Sequence, residues 1–314
     1  MSVYTRVSLN ELTPLVRHLG LGKIKRLDGI SDGVVNTNYR VMTDSGSYVL
    51  TLVENPEESD ALSYVAGLLI HLTQKGIPCP QPLTNAQGCG YFSIKNRPAL
   101  LATFLPGISP EEPTRSHCLA VGKMLARIHL AGADYPHRRP NPMGLEKWSR
   151  LLDKISPKLA VEEPEIQALL QQTYKRMNQH YPRSDLPSGL CHGDLFPDNS
   201  FFMEETISGV IDFFFACNET YLLDLAITLN AWCFNRNGDP IPIHWQTLLD
   251  GYQSVRPLTS LENQNLTLAA QGAALRFSLT RFHDRYFPRP GLNVTQKDPK
   301  LFVKRLIHLL SSPS

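Results

Sequence analysis

Apolar residues Leu9, Leu12, Leu15, Val16 and Leu19 recur at helical spacing from Ser8-Leu9-Asn10-Glu11, which has the spacing of a capping box. They predict a first helix over 8–19, stopped at Gly20. Short runs with strand character follow. Residues 23–27 precede Asp28-Gly29, 38–42 precede Asp44-Ser45-Gly46, and 47–53 are rich in Val, Leu, Tyr and Thr. Leu62, Val65, Leu68, Leu69 and Leu72 predict a helix over 57–75 that ends at Gly76 and Pro78, and 91–94 and 99–104 read as two further strands. Past Pro106-Gly107 the period becomes helical, over 115–131, 145–154, 163–180, 221–234, 245–254, 261–286 and 298–311. The exception is a pair of strand-like runs, 199–203 and 207–213, on either side of the polar turn Glu204-Glu205. The pattern predicts an α+β fold in two lobes with a cleft between them. The first, 1–105, holds a five-stranded antiparallel sheet; the second, 106–314, is largely helical.

Composition narrows the class of partner. The 314 residues suffice for two cores, and 42% hydrophobic against 19% charged residues is an ordinary globular balance. A formal net charge of +2 carries no concentrated basic field for nucleic acid or an acidic membrane. Six cysteines without CxxC spacing or a histidine cluster read as reduced, mostly buried thiols of a cytoplasmic protein. The N-terminal MSVYTRVSLNELTPLV lacks the apolar run of a signal peptide, and no stretch of about 18 apolar residues predicts a membrane span.

The segment that carries chemistry is Cys191-His192-Gly193-Asp194-Leu195-Phe196-Pro197-Asp198-Asn199, followed by Val210-Ile211-Asp212-Phe213. It has the form H-x-D-x-x-x-x-N and then an apolar strand with an Asp at its end. Phosphoryl transfer from ATP needs a loop that positions the incoming hydroxyl and a divalent ion that neutralises the phosphate oxygens. A carboxylate must accept the hydroxyl proton, and Mg²⁺ takes oxygen ligands. Asp194 is therefore the expected base, and Asn199 and Asp212 the expected Mg²⁺ ligands. Asn199 is expected to open the first strand of the hairpin and Asp212 to end the second. The bland reading, a polar turn at His192-Gly193-Asp194 and a capping Asp212, is disfavoured by the hairpin and the two-lobe pattern together.

The chain resembles the aminoglycoside-phosphotransferase-like branch of the protein-kinase fold, whose loop reads HGDLxxxN. Within that branch it is similar to the bacterial homoserine kinases. The resemblance is carried by Gly29–Tyr39, Tyr48-Val49-Leu50-Thr51-Leu52, HGDLFPDN, Ile211-Asp212-Phe213, the run Ala274–Asp284, and the tail Pro288-Arg289-Pro290-Gly291 with Lys297-Asp298-Pro299. It implies a bilobal protein-kinase-like fold and an ATP- and magnesium-dependent enzyme that phosphorylates L-homoserine in threonine biosynthesis, without nucleic-acid or membrane partners. A kinase for choline, methylthioribose or an aminoglycoside is the alternative, and a non-catalytic binding module the reading from another class. The intact Asp194, Asn199 and Asp212 set weighs against the latter.

The loop 29–39, with Gly29 and Gly33, sits between two predicted strands and can offer backbone N–H groups to phosphates, as a plain hairpin loop would also look. Asn36, Thr37 and Asn38 are its expected nucleotide contacts. Thr51 stands where a typical kinase has the phosphate-binding strand lysine, as is usual among homoserine kinases. No Lys–Glu pair to the 57–75 helix follows, and Glu58 and Asp60 read as acids at its start. Thr103, Phe104 and Leu105 resemble the hinge that holds adenine. His192 is expected to fix the loop, His129 to pack beneath it, and Asp224 to hold the loop backbone. For the acceptor, Arg276, Thr280 and Asp284 share a helical stripe, with Arg281 beside it. Either Arg276 or Arg281 is expected to take a substrate carboxylate, and Asp198 an ammonium.

Overall fold

The computed structural model describes residues 5–30, 36–54, 59–288 and 297–311. Gly33, Glu58, the side chain of Asp60 and the Arg289-Pro290-Gly291 part of the tail lie outside the described residues. The chain forms two compact units; one runs to Gly107 and takes in Ser208–Phe214, the other starts at Ile108 and omits that segment.

In the first unit, α1 (Leu9–His18) starts on the expected capping box. Ser8 Oγ accepts from the Glu11 N–H at 3.4 Å, and the Glu11 carboxylate accepts from the Ser8 N–H at 2.8 Å. Such caps contribute about 1 kcal/mol. Five antiparallel strands follow, β1 (Ile24–Ile30), β2 (Thr37–Thr43), β3 (Ser47–Leu52), β4 (Phe92–Ile94) and β5 (Arg97–Thr103), in the order β1-β2-β3-β5-β4. The period of two divides the sheet into unlike faces. Tyr39, Val41, Tyr48, Leu50, Leu52, Ala99 and Leu101 form a buried core with Leu12 and Val16 of α1. On the opposite face, Asn38 lies across from Thr51 and Arg40 across from Val49, and all four are only half-buried. Helix α2 (Ser59–Gln74) packs against β5.

The second unit is built on α3 (Arg115–Ala131), α4 (Leu145–Glu162), α5 (Pro164–His180), α6 (Tyr221–Trp232), α7 (Pro242–Gln253), α8 (Ser260–Tyr286) and α9 (Lys300–Ser311). Helix α4 runs eight residues past its expected end, through Pro157, because Ile155 and Leu159 continue its buried stripe. Helices α3 and α7 approach closely through glycine: a Cβ on Gly122 would strike the Leu248 carbonyl, and one on Gly251 the Leu119 carbonyl. Two short strands that the sequence did not reveal, β6 (Ser188–Cys191) and β9 (Cys217–Thr220), pair antiparallel and hold both ends of the segment between them. Within that segment β7 (Ser200–Met203) and β8 (Thr206–Val210) form a two-stranded hairpin. Five of the six cysteines are buried and Cys89 is half-buried, all as free thiols. Among the described residues no helix is long and apolar enough to cross a membrane.

Candidate active site

The loop between β6 and β7 is gripped through its backbone. Gly193 adopts φ +78°, and a Cβ there would lie 2.8 Å from the Phe215 carbonyl oxygen, so only glycine fits. The Asp224 carboxylate accepts from the N–H groups of His192 at 2.7 Å and Gly193 at 2.8 Å. From α8, Arg276 Nη1 donates to the Gly193 carbonyl at 2.6 Å. Trp232 Nε1 donates to the Leu195 carbonyl at 2.9 Å. Thus an anion holds the amides before Asp194, while a cation and an indole hold the carbonyls on its two sides. The Asp194 N–H donates to His192 Nδ1 at 3.2 Å, and Asn199 Nδ2 donates to the Asp194 carbonyl at 2.8 Å. A second, longer contact joins Asn199 Nδ2 to Asp194 Oδ2 at 3.4 Å. The half-buried Asp194 carboxylate is therefore carried on a backbone with little freedom.

Asp224 is itself the end of a buried chain. His129 meets Asp224 Oδ2 through Nε2 at 2.9 Å and Tyr252 Oη through Nδ1 at 2.8 Å. Arg256 donates to Tyr252 Oη at 3.1 Å and pairs with Glu262 at 2.9 Å. Arg256 has only N–H donors and an ionised carboxylate only acceptors, so the polarity of the chain is fixed. Arg256 donates to Tyr252, Tyr252 to Nδ1, and Nε2–H to Asp224. His129 must be neutral for this, and its burial pushes its pKa down. Burial alone would raise the Asp224 pKa; the hydrogen bonds it accepts from His129 and the Gly193 amide outweigh it and keep the carboxylate ionised. Glu262 closes the chain and also caps α8 with Thr259. Tyr252, Arg256 and Glu262 escaped the sequence reading. The spacing Thr259-x-x-Glu262 has the form of a helix start, but nothing in it marks the acid as buried and paired with Arg256 in the connection ahead of that helix.

Two expected placements are corrected. Asn199 does not open a strand: Pro197 starts a single 3₁₀ turn over Pro197–Asn199, and β7 begins at Ser200. Asp212 does not end β8, which stops at Val210; it is exposed, with φ +64°, ahead of a 3₁₀ turn over Phe213–Phe215. It belongs to the first unit, whereas Asp194 and Asn199 belong to the second. A left-handed φ on a residue other than glycine is uncommon and costs about 1–2 kcal/mol.

The stripe on α8 is also not one surface. Arg276 is 4% exposed, its guanidinium between Phe277 and Phe215 at 4.7 and 5.6 Å and its fork turned to Gly193, while the Asp284 side chain is 75% exposed beside His283. The Thr280 hydroxyl returns to the Arg276 and Phe277 carbonyls. Arg276 therefore supports the loop instead of lining a ligand surface. Arg281 lies over the Phe302 ring at 4.4 Å and donates to the Asp298 carbonyl at 3.2 Å. Burial lowers its pKa to about 10, against the attraction of Asp298, Asp194 and Asp198. Asp198 is exposed, and its carboxylate meets Lys297 Nζ at 3.4 Å.

In the first unit, Thr51 Oγ1 donates to Asn38 Oδ1 at 2.7 Å. Asn36 Oδ1 accepts from the Glu54 N–H at 3.3 Å, and Thr37 Oγ1 donates to Glu54 Oε1 at 2.5 Å. At the end of β5, Thr103 exchanges bonds with Gln81 and the Phe104 N–H donates to the Ser47 carbonyl at 3.1 Å. Leu105 follows, its side chain against Gly209.

The chain matches the phosphotransferase enzyme family over residues 26–258 and belongs to it. It is 41% identical to a homoserine kinase of Mesorhizobium japonicum, over 98% of this chain and 95% of that one. It is 40% identical to a homoserine kinase of Rhodospirillum rubrum with the same coverage. Its fold is that of spectinomycin phosphotransferase in complex with ADP and spectinomycin, with a TM-score of 0.70 and 14% identity over 97% of this chain and 98% of that one. Amicoumacin kinase in complex with AMP-PNP and Ca²⁺ gives 0.67 and 15%, covering 95% and 92%. At such identities the likeness establishes the protein-kinase-like fold alone.

Proposed function

We propose that this chain is a homoserine kinase, which transfers the γ-phosphoryl of ATP to the side-chain hydroxyl of L-homoserine and gives O-phospho-L-homoserine for threonine biosynthesis. The observation that carries the reading is the clamped loop, which presents Asp194 on a backbone fixed by Asp224, Arg276 and Trp232. In the transfer, the homoserine oxygen bonds to the γ-phosphorus and the bond from that phosphorus to the β–γ bridging oxygen breaks. ADP leaves, and the hydroxyl proton passes to Asp194. Loose phosphoryl transition states ask for positioning and charge neutralisation more than for a strong base, which suits a rigid, half-buried carboxylate.

The donor set suits magnesium. The Asn199 amide nitrogen is committed to Asp194, so the atom it presents to an ion is Oδ1, and Asp212 adds an exposed carboxylate; both are hard oxygen donors. Held by Asn199 and Asp212, Mg²⁺ would neutralise charge on the phosphate oxygens. The first unit is assigned to the nucleotide, with Asn36, Asn38 and Thr51 toward the phosphates and Thr103, Phe104 and Leu105 toward the base; the expected contact at Thr37 is withdrawn, since that residue is fully buried on the other face of β2 with its hydroxyl on Glu54. For the acceptor, Arg281 is the carboxylate ligand of choice, since its charge is within electrostatic reach of Asp194 and Asp198 while Arg276 is spent on Gly193. Asp198, tethered by Lys297, takes the ammonium.

The test is ADP release, coupled to a reporter, with L-homoserine, L-serine, choline and kanamycin as acceptors. Homoserine is expected to lead, by about 10–100-fold in kcat/KM over serine, which is one methylene shorter. Equal or faster turnover of choline or kanamycin would reassign the acceptor.

A further inference from the structure

The strand lysine that binds phosphates in a typical kinase is absent here, and the described part of the sheet holds one arginine whose environment asks for a ligand. Arg40 lies on β2, on the face shared with Asn38, Val49 and Thr51 and opposite the core under α1. Its guanidinium carbon sits 4.3 Å from the centroid of Phe104, a ring 37% exposed at the expected hinge. Arg40 Nε is shielded from solvent and has no hydrogen-bond acceptor. The acid directly across the strand pair, Asp28, is taken by Arg26 at 2.7 Å, so among the described residues no carboxylate pairs with Arg40. A buried N–H without an acceptor costs roughly 1–3 kcal/mol. Arg276 and Arg305 also carry an Nε without an acceptor, but each is held through Nη1, by the Gly193 and Asn230 carbonyls, whereas among the described residues the Arg40 guanidinium has neither a hydrogen bond nor an ion pair.

We infer that Arg40 contacts the nucleotide, donating N–H hydrogen bonds from its place on Phe104 to acceptor atoms at the base and ribose end of a bound nucleoside triphosphate. The end is fixed by register. Thr51, in the lysine slot, lies across from Asn38, whereas Arg40 is two residues further along β2 and turned toward Phe104, past the end of β5. Arginine offers donors only, so it meets ring nitrogens, a 6-oxo group or ribose oxygens, and its plane stacks on the ring that flanks the base. The inference rests on the assignment of the first unit to the nucleotide.

The test is calorimetric binding of Mg·ADP to the full chain and to Arg40→Met, which keeps a side chain over Phe104 but no N–H, with thermal melts alongside. Arg40→Lys, which keeps the charge without Nε, serves if the first variant does not fold. Each is expected to weaken ADP binding and raise KM for ATP about tenfold or more, the scale of one charged hydrogen bond, with KM for homoserine unmoved. Binding within twofold of the native protein by a folded variant, or an equal rise in both KM values, would overturn the role of Arg40. A native chain that binds no ADP would overturn the nucleotide assignment and this inference with it.

Discussion

Removal of one oxygen atom tests whether the chain beneath the catalytic loop works as a unit. In Tyr252→Phe the ring stays and the hydroxyl goes, so the bonds to His129 at 2.8 Å and from Arg256 at 3.1 Å both vanish. Arg256 keeps Glu262 at 2.9 Å and is not stranded. His129 Nδ1 is stranded, because the ring is fully buried and its tautomer is held by Asp224. Two net hydrogen bonds at about 1 kcal/mol each, with up to a further 1–2 kcal/mol for the orphaned acceptor, give a loss of about 2–4 kcal/mol. Urea unfolding followed by far-UV circular dichroism reads this directly, and the slope of the transition shows whether the unfolded state has changed. Since the loop hangs on Asp224, kcat should fall with KM for ATP nearly constant. A change below about 0.5 kcal/mol, within the range of ordinary surface substitutions, would refute the polarity assigned to the chain.

Other outcomes follow from the same geometry. His129 is neutral when folded and its pKa is pushed below the ordinary 6.5 by burial, so the unfolded chain binds the extra proton. Stability is full above about pH 6.5 and falls as the pH drops below it; His129→Gln should flatten that dependence in denaturation at pH 5.0, 6.0 and 7.5, and an unaltered profile would exclude His129 as its source. Arg281→Ala should raise KM for homoserine about 10–100-fold with kcat and KM for ATP little changed; a kcat loss with KM intact would place it elsewhere in the mechanism. Asp212→Ala should shift the magnesium titration of activity to higher concentration, and an unshifted curve would remove it from the ligand set.

Much of this was legible in the chain because long periodic segments and caps are local signals. The capping box at Ser8 and Glu11, the strand alternation around Tyr39 and Leu50, and the helical stripe from Leu268 to Phe282 all lie in the described structure as the residue pattern requires. What escaped depended on partners far away in sequence. Strands β6 and β9, with the sequences Ser-Gly-Leu-Cys and Cys-Asn-Glu-Thr, are too short and too poor in β-branched residues to announce themselves, and exist because they pair. The helical spacing of Arg276 and Asp284 was read correctly as spacing, but not that α8 descends into the core at one end and emerges at the other. Likewise an H-x-D-x-x-x-x-N string marks a loop; it does not tell that Pro197 turns Asn199 through a 3₁₀ step or that Asp212 takes a left-handed backbone.

The claim on which the rest depends is that the carboxylate of Asp194 receives the proton of the acceptor hydroxyl. Single-turnover transfer from γ-³²P-labelled ATP to L-homoserine, compared between the native chain and Asp194→Asn at equal and saturating Mg·ATP, tests it most directly. The account predicts a fall of roughly 10²–10⁴ in the transfer rate with the thermal melt and ADP binding retained. Transfer by Asp194→Asn within tenfold of the native rate would contradict it.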